Sequence, residues 1–98
     1  MRRSLRYHPA VKQDVRSARI WYEGRRAGLG DEFMNEVRTV LDHIRDNPEL
    51  YEVVRCNVRR GVTNRFPYVV LYRVEPKRIV ILGVFHGSRD PIIWDERT

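Results

Sequence analysis

The clearest pattern in the chain is the alternation of apolar and other side chains between Phe66 and Val74. β-Branched and aromatic residues dominate this stretch, which is typical of a strand. A second run, Ile79 to His86, is apolar on both parities, as expected of a strand in the middle of a sheet. Glu75-Pro76-Lys77-Arg78 lies between them and predicts a tight turn, because proline presets φ and has no N–H to donate. The pattern predicts a β-hairpin over residues 65–89 at the centre of the fold.

Two amphipathic helices are predicted before this hairpin. The first begins at His8-Pro9, since proline is accommodated at the first helical position. Its apolar stripe is formed by Val11, Val15, Ala18 and Tyr22, and Trp21 widens it. The glycine-rich segment 24–30 ends it. The second helix begins near Asp31 and ends at Asn47-Pro48, and its stripe is formed by Phe33, Val37, Val40, Leu41 and Ile44. The short connection predicts an antiparallel helix hairpin.

The remaining segments complete the order of elements. Leu5-Arg6-Tyr7 is a short first strand, residues 49–52 are a connecting loop, and the later half of Val53 to Val62 is a strand in which Gly61 is a candidate β-bulge. The order β-α-α-β-β-β predicts an α+β fold, with the helix hairpin packed on one face of a mostly antiparallel four-stranded sheet. Since the central strands are apolar on both parities, the pattern does not decide whether Arg73 or the tyrosines Tyr68 and Tyr72 face away from the helices.

Length and composition limit the kinds of protein that this chain can be. We expect residues 1–98 to form one domain, and no apolar run is long enough for a membrane span. Cys56 is the only cysteine, so no intrachain disulfide is possible, and cytoplasmic residence is the expectation. Because Cys56 stands alone and the three histidines are far apart in sequence, we expect no metal site and no cofactor.

The net charge of +6 favours an acidic partner such as nucleic acid, the ribosome or an acidic protein. Arginine greatly outnumbers lysine, and its guanidinium group binds phosphates and carboxylates through two parallel hydrogen bonds. The alternative is that the arginines only solvate the surface. We expect the basic residues of the later strands to converge on one side of the sheet: Arg55, Arg59, Arg60, Arg65, Arg73 and Arg89.

Candidate chemistry is concentrated at the end of the last strand. His86 is a candidate general base for phosphodiester cleavage, because its pKa lies near neutrality; the alternative is a structural histidine. Arg89 is a candidate to hold a phosphate or a carboxylate, or else to form a salt bridge with Asp90 or Asp95. Tyr68 and Tyr72 are candidates to stack on bases or to belong to the core.

The order of elements, with the segments RFPYVVLYRV and RIVILGVFHGSRDPIIW, resembles the RelE/ParE superfamily of toxins from bacterial type II toxin–antitoxin systems. The similarity is greatest to the ParE-like, plasmid stabilisation branch, and it covers nearly the whole chain. It implies that the first strand lies beside the last. It also implies a cognate antitoxin encoded alongside, with an acidic C-terminal segment that wraps the toxin. The net charge predicts that this segment binds the arginine-rich side of the sheet with a steep salt dependence.

The resemblance leaves three alternatives. Two are mechanisms of toxicity, and the third is a domain that has lost its toxicity. In RelE-like nucleases, a basic cluster without metal cuts mRNA at the ribosome, which implies Arg60, His86 and Arg89 as catalytic candidates. However, Val69 replaces an arginine of that cluster, and the C-terminal aromatic residue is Trp94, which has no acidic O–H. The resemblance therefore favours a ParE-like toxin that binds and poisons DNA gyrase, with partner-binding candidates Arg59, Arg65, Arg73, Arg89 and Trp94.

Overall fold

The computed structural model describes residues 3–88 and 96–97 of the chain. The elements in these ranges are β1 (Ser4–Tyr7), α1 (Val11–Arg25), α2 (Leu29–Asp46), β2 (Glu52–Arg55), β3 (Val58–Val62), β4 (Tyr68–Val74) and β5 (Arg78–His86). The strand order is β1-β5-β4-β3-β2, with β1 parallel to β5 and the other neighbours antiparallel. The α+β class and the position of the first strand beside the last are confirmed. Neither helix is long and apolar enough to cross a membrane.

The described residues form a sheet of five strands, one more than predicted. The additional strand is β2, whose residue Glu52 pairs with Arg60 of β3. Cys56 and Asn57 join the two strands, and Cys56 has a φ of 48°. Tight hairpins require a positive φ, which glycine, asparagine or aspartate usually supplies. A cysteine in this position gave no signal of a turn, so only the later half of Val53 to Val62 was predicted to be a strand.

The start of α1 differs slightly from the prediction. Pro9 precedes the helix by two residues instead of occupying its first position. His8 closes a turn before the helix, because its Nδ1 accepts a hydrogen bond from the N–H of Ala10 at 3.0 Å and its carbonyl oxygen accepts one from Val11 at 3.0 Å. The helix therefore begins only after this turn.

The connection between the helices depends on glycine. Gly28 precedes α2 with a φ of 90°, a conformation that glycine adopts at little cost. The Glu23 carboxylate accepts hydrogen bonds from the N–H groups of Gly28 at 2.9 Å and Gly30 at 3.0 Å. A Cβ at Gly30 would lie 2.9 Å from the carbonyl oxygen of Arg19, so only glycine permits this close approach. The predicted end of α2 before Asn47-Pro48 is confirmed.

The two faces of the sheet bury different apolar sets. The side that contacts the helices includes Phe66, Val70, Tyr72, Ile79, Ile81 and Val84. The opposite face, here called the second face, carries a smaller cluster formed by Val58, Val69, Leu71, Leu82 and Phe85. Because successive residues of a strand point to opposite faces, the tyrosines of β4 lie toward the helices and Arg73 lies on the second face. Burial on both faces explains why the sequence pattern left this assignment open.

The prediction of a bulge at Gly61 was wrong. Gly61 pairs with Val70 in the regular register of β3 and β4. A Cβ at this position would lie 2.8 Å from Cγ1 of Val40 on α2, so glycine lets β3 pack closely against the helix. The register shifts lie instead in the pairing of β2 with β3 and in the middle of the β4–β5 pairing.

Candidate functional site

The two tyrosines of β4 that were candidates to stack on bases belong largely to the core. Tyr72 is fully buried and donates its O–H to the carbonyl oxygen of Pro48 at 2.7 Å. Burial raises the pKa of the Tyr72 hydroxyl to about 12, so it remains a protonated donor. Tyr68 is half-buried, and its ring packs edge-on against Phe33 at 5.0 Å and His86 at 5.5 Å. Tyr72 thus has no free face on which a base could stack.

Two of the predicted site arginines, Arg60 and Arg73, lie on the second face beside its apolar cluster. Arg60 forms a salt bridge with Glu52, and Nε of Arg73 lies 2.9 Å from a carboxylate oxygen of Glu75. Hydrogen bonds from Arg78 and Arg73 lower the pKa of Glu75, which keeps this carboxylate ionised. Both arginines are therefore already engaged by carboxylates of the same chain.

Arg59 has a structural role on the helix side of the sheet. Its Nη1 donates to the carbonyl oxygens of Tyr51 at 2.7 Å and Glu49 at 3.3 Å. These two residues belong to the connection between α2 and β2. The Arg59 side chain thereby satisfies carbonyl groups of an irregular segment that would otherwise depend on water.

Arg65 anchors the β3–β4 loop to α2. Its guanidinium group donates to Glu36 at 2.8 Å and to Glu32 at 3.0 Å, and the backbone N–H groups of Asn64 and Arg65 also donate to Glu36 at 2.8 Å. Burial disfavours the charged form of Glu36, but the hydrogen bonds from Arg65 and Asn64 outweigh it and hold the pKa of Glu36 below its ordinary value. The loop that precedes β4 is thus fixed by two glutamates of α2, of which Glu36 also binds the loop backbone.

His86 ends β5 on the helix side, where it pairs with Tyr68. Its Nδ1 accepts a hydrogen bond from the backbone N–H of Ser88 at 3.1 Å and lies 2.7 Å from the Ser88 hydroxyl. Because an amide N–H can only donate, Nδ1 is the acceptor in this hydrogen bond. Nδ1 of His86 is therefore already engaged by Ser88.

The catalytic candidates Arg60 and His86 do not meet. They lie on opposite faces, and Arg60 is level with Leu71 whereas His86 is level with Tyr68. Three residues along a strand correspond to about 10 Å. Arg89 and Trp94 lie outside the described residues. Within those residues, no three His, Cys, Asp or Glu side chains are placed to hold a metal ion.

One feature that sequence reasoning missed is an ion pair beside the part of β5 that lies beyond its pairing with β1. β1 pairs with β5 only as far as Ile81. Beyond it, Asp14 of α1 accepts a hydrogen bond from the N–H of Val84 at 3.1 Å, and Arg97 donates to the carbonyl oxygen of Leu82 at 3.0 Å. Arg97 also binds both carboxylate oxygens of Asp14, at 2.8 and 2.9 Å. Side chains thus bind backbone groups of β5 that β1 does not reach. A pair 83 residues apart leaves no local sequence signal.

A groove of about 670 Å³ lies between α1 and the ends of β4 and β5, and His86 forms part of its wall. Trp21 of α1 also lines it and is 55% exposed. The guanidinium carbon of Arg25 lies 4.4 Å from the centre of the Trp21 ring. Sequence reasoning placed Trp21 in the apolar stripe of the helix, so this exposed pair was not predicted.

The chain matches a family model described as "ParE toxin of type II toxin-antitoxin system, parDE" over residues 5–91. Ten chains of solved structures are similar to it. One of them, from the "Chromosomal ParDE TA system from P. aeruginosa", has a TM-score of 0.64 and 17% sequence identity, over 86% of this chain and 95% of that one. At this identity, the similarity shows the fold alone. No curated protein matches the sequence.

Proposed function

Because the chain belongs to the ParE toxin family of type II toxin–antitoxin systems, we propose that it inhibits growth by binding and poisoning DNA gyrase. We further propose that a cognate antitoxin neutralises it. In this mechanism the toxin acts through its surface, and no proton is transferred by a toxin side chain.

The separation of Arg60 from His86 is the observation that carries this proposal. Metal-independent cleavage of a phosphodiester needs a proton-transfer group and a cation within hydrogen-bond reach of the same phosphate. Here Arg60 is bound by Glu52 on one face of the sheet, and Nδ1 of His86 is engaged by Ser88 on the other. Val69 stands where the nucleases have an arginine, and it is buried in the second-face cluster. These positions support binding rather than cleavage.

A toxin that acts by binding needs an exposed anchor, and Trp21 with Arg25 is well suited to that role. Tryptophan and arginine dominate the residues that contribute most to protein–protein affinity. Contact with Arg25 restricts the Trp21 side chain before any partner arrives, which lowers the entropy lost on binding. We therefore assign this pair to the gyrase-binding surface.

The test is inhibition of plasmid supercoiling by purified gyrase, with cleavage of ribosome-bound mRNA measured in parallel. We expect the wild-type protein to inhibit supercoiling and Trp21→Ala to weaken inhibition by about tenfold or more, the effect of losing a central anchor. Val62→Ala is the matched control, because Val62 is a similarly exposed apolar residue, 50% against 55%, on the second face. Intact supercoiling together with cut mRNA would contradict the proposal and favour the nuclease.

A further inference from the structure

Basic side chains from three elements meet around a single glutamate at the turn between β4 and β5. Nε of Arg73 lies 2.9 Å and Nε of Arg78 lies 2.6 Å from different carboxylate oxygens of Glu75. Nε of Arg3, just before β1, donates to the backbone carbonyl oxygen of Glu75 at 2.8 Å. Lys77 lies in the turn itself and is exposed. These residues are here called the turn cluster, in which one carboxylate stands among four cations.

The turn cluster leaves the outer part of each guanidinium group available. Arg3, Arg73 and Arg78 are each held through Nε, and their Nη groups have no hydrogen-bond partner among the described residues. Most of the N–H donors of a guanidinium group are on the two Nη nitrogens. Glu75 therefore orients three arginines but neutralises only one of the positive charges beside it.

The backbone that carries the turn cluster is itself well fixed. The N–H of Glu75 donates to the carbonyl oxygen of Arg78 at 2.9 Å, which closes the turn, and Pro76 restricts φ within it. The start of β1 is joined to the same place, because Ser4 pairs with Arg78. The cations therefore project from an ordered support, so little entropy is lost in arranging them when a ligand binds.

Arg6 extends the positive charge along the second face. Arg6 of β1 and Arg73 of β4 pair with Val80 of β5 from its two sides, so the three residues are level across the sheet. Val80 packs against the second-face cluster, which places both arginines on that face. Neighbouring strands are about 4.8 Å apart, so Arg6 and Arg73 are separated by about 10 Å. Arg6 is exposed and has no partner in the part of the chain that the structure describes.

We propose that the turn cluster, together with Arg6, binds the phosphate backbone of duplex DNA independently of the base sequence. The cluster offers N–H donors, and its one carboxylate, Glu75, is already bound by Arg73 and Arg78. It therefore suits an anionic ligand that only accepts hydrogen bonds. Phosphates have this character, whereas the edges of bases present donors as well as acceptors.

Duplex DNA suits this surface better than an acidic protein segment. A duplex carries one negative charge for about every 1.7 Å of its axis, so several phosphates lie within the width of three strands. It is also stiff over a length far greater than this surface, whereas a flexible acidic segment loses conformational freedom on binding. The contact goes beyond the proposed function, because it requires no gyrase.

The test measures the binding of the purified protein to a short labelled DNA duplex by fluorescence anisotropy, across a salt series and without gyrase. We expect Lys77→Gln/Arg78→Gln to weaken binding about tenfold at low salt. The slope of log Kd against log salt concentration should become shallower by about 2, since each lost phosphate contact removes about 0.9. The matched control is Lys12→Gln/Arg38→Gln, the same charge change at exposed helical positions. We expect the control to bind within about twofold of wild type.

A second variant tests the orientation of the arginines separately from their charge. Arg73→Lys/Arg78→Lys keeps the net charge, but a lysine has no Nε–H that could pair with Glu75 while other donors face a phosphate. We expect this variant to bind the duplex at least about fivefold more weakly than wild type. The control Arg16→Lys/Arg38→Lys, at exposed positions of the helices, should bind like wild type.

Four results would overturn the proposal. The first is a wild-type protein that does not bind the duplex at low salt. The second is an equal loss in the turn-cluster and control variants, which would reduce the effect to net charge. The third is unchanged binding after the two lysine exchanges in the turn cluster. The fourth is binding of polyglutamate as tight as that of DNA, which would assign the surface to an acidic protein. None of these results bears on gyrase inhibition, which the supercoiling assay measures separately.

Discussion

Several arginines that a basic sequence suggests as ligands for a partner instead hold the loops of this protein in place. Arg59 donates to carbonyl groups before β2, and Arg65 joins the β3–β4 loop to two glutamates of α2. The sequence shows that these residues are arginines, which bind carboxylates and carbonyl groups. Which of those groups they bind depends on which elements pack together. Among the described residues, cations such as Lys12 and Arg16 have no carboxylate beside them and are available to a partner.

Glu36→Gln tests the anchoring of the β3–β4 loop. The pKa of Glu36 is lowered in the folded protein, so its contribution to stability is fully present above the pKa of an unfolded carboxyl and is lost as pH falls through the folded value. We expect the substitution to cost about 1.5–3 kcal/mol at pH 7, as for hydrogen bonds to a charged group. Urea unfolding at pH 7 and pH 3 measures both the cost and its decline in acid.

The control for Glu36→Gln is Asp42→Asn, the same chemical change on the same helix. Asp42 is exposed and lies 3.8 Å from Arg45, a weak surface pair. We expect it to change the stability little at either pH. A cost at Glu36 that is the same at pH 7 and pH 3 would mean that shape, and not the ionised carboxylate, holds the loop.

At the scale of elements, the helix hairpin is held by burial against the sheet rather than by its own propensity. Phe33, Val37, Val40 and Ile44 of α2 are almost fully buried in the main cluster. Amphipathic helices of this length are marginal in water alone, so most of their stability comes from this contact. Both helix stripes were readable from the sequence, because their period of 3.6 residues is set by the helix itself.

Val37→Asp should unfold the protein. Val37 is 2% exposed, and an unpaired carboxylate at that depth costs several kcal/mol, comparable to the total stability of a small protein. Leu41→Asp, at a half-buried position, should cost less. Thr39→Asp on the exposed face of the same helix is the control. Thermal melting followed by circular dichroism measures all three, and an unchanged melting temperature in Val37→Asp would exclude this packing.

The elements that the sequence did not predict depend on tertiary contacts or on unusual residues. β2 was missed because Cys56 occupies a positive-φ turn position without being glycine or asparagine. Gly61 was wrongly predicted to be a bulge. Glycine is needed at this position because Val40 of α2 packs closely against it, and no local sequence pattern shows that contact. The central hairpin was predictable because its turn and its alternation are both local.

At the scale of the whole molecule, the sheet decides which site residues can act together. The resemblance to RelE-like nucleases suggests Arg60 and His86 as members of one cluster, yet a shift of three residues and the change of face separate them. The strand register and the choice of face could not be inferred while both parities were apolar. The family, in contrast, could be inferred, since its signal is the order of all the elements together.

The measurement that tests the central claim most directly is growth inhibition by the wild-type protein and by His86→Gln, with cleavage of ribosome-bound mRNA measured alongside. Glutamine can accept the Ser88 hydrogen bond but cannot transfer a proton at neutral pH. If the protein acts by binding gyrase, His86→Gln should inhibit growth within about twofold of wild type, because a surface change this small costs little. A loss of inhibition of about 10²–10⁴-fold, with mRNA cut by the wild type alone, would contradict the account, since this is the usual contribution of a general acid or base.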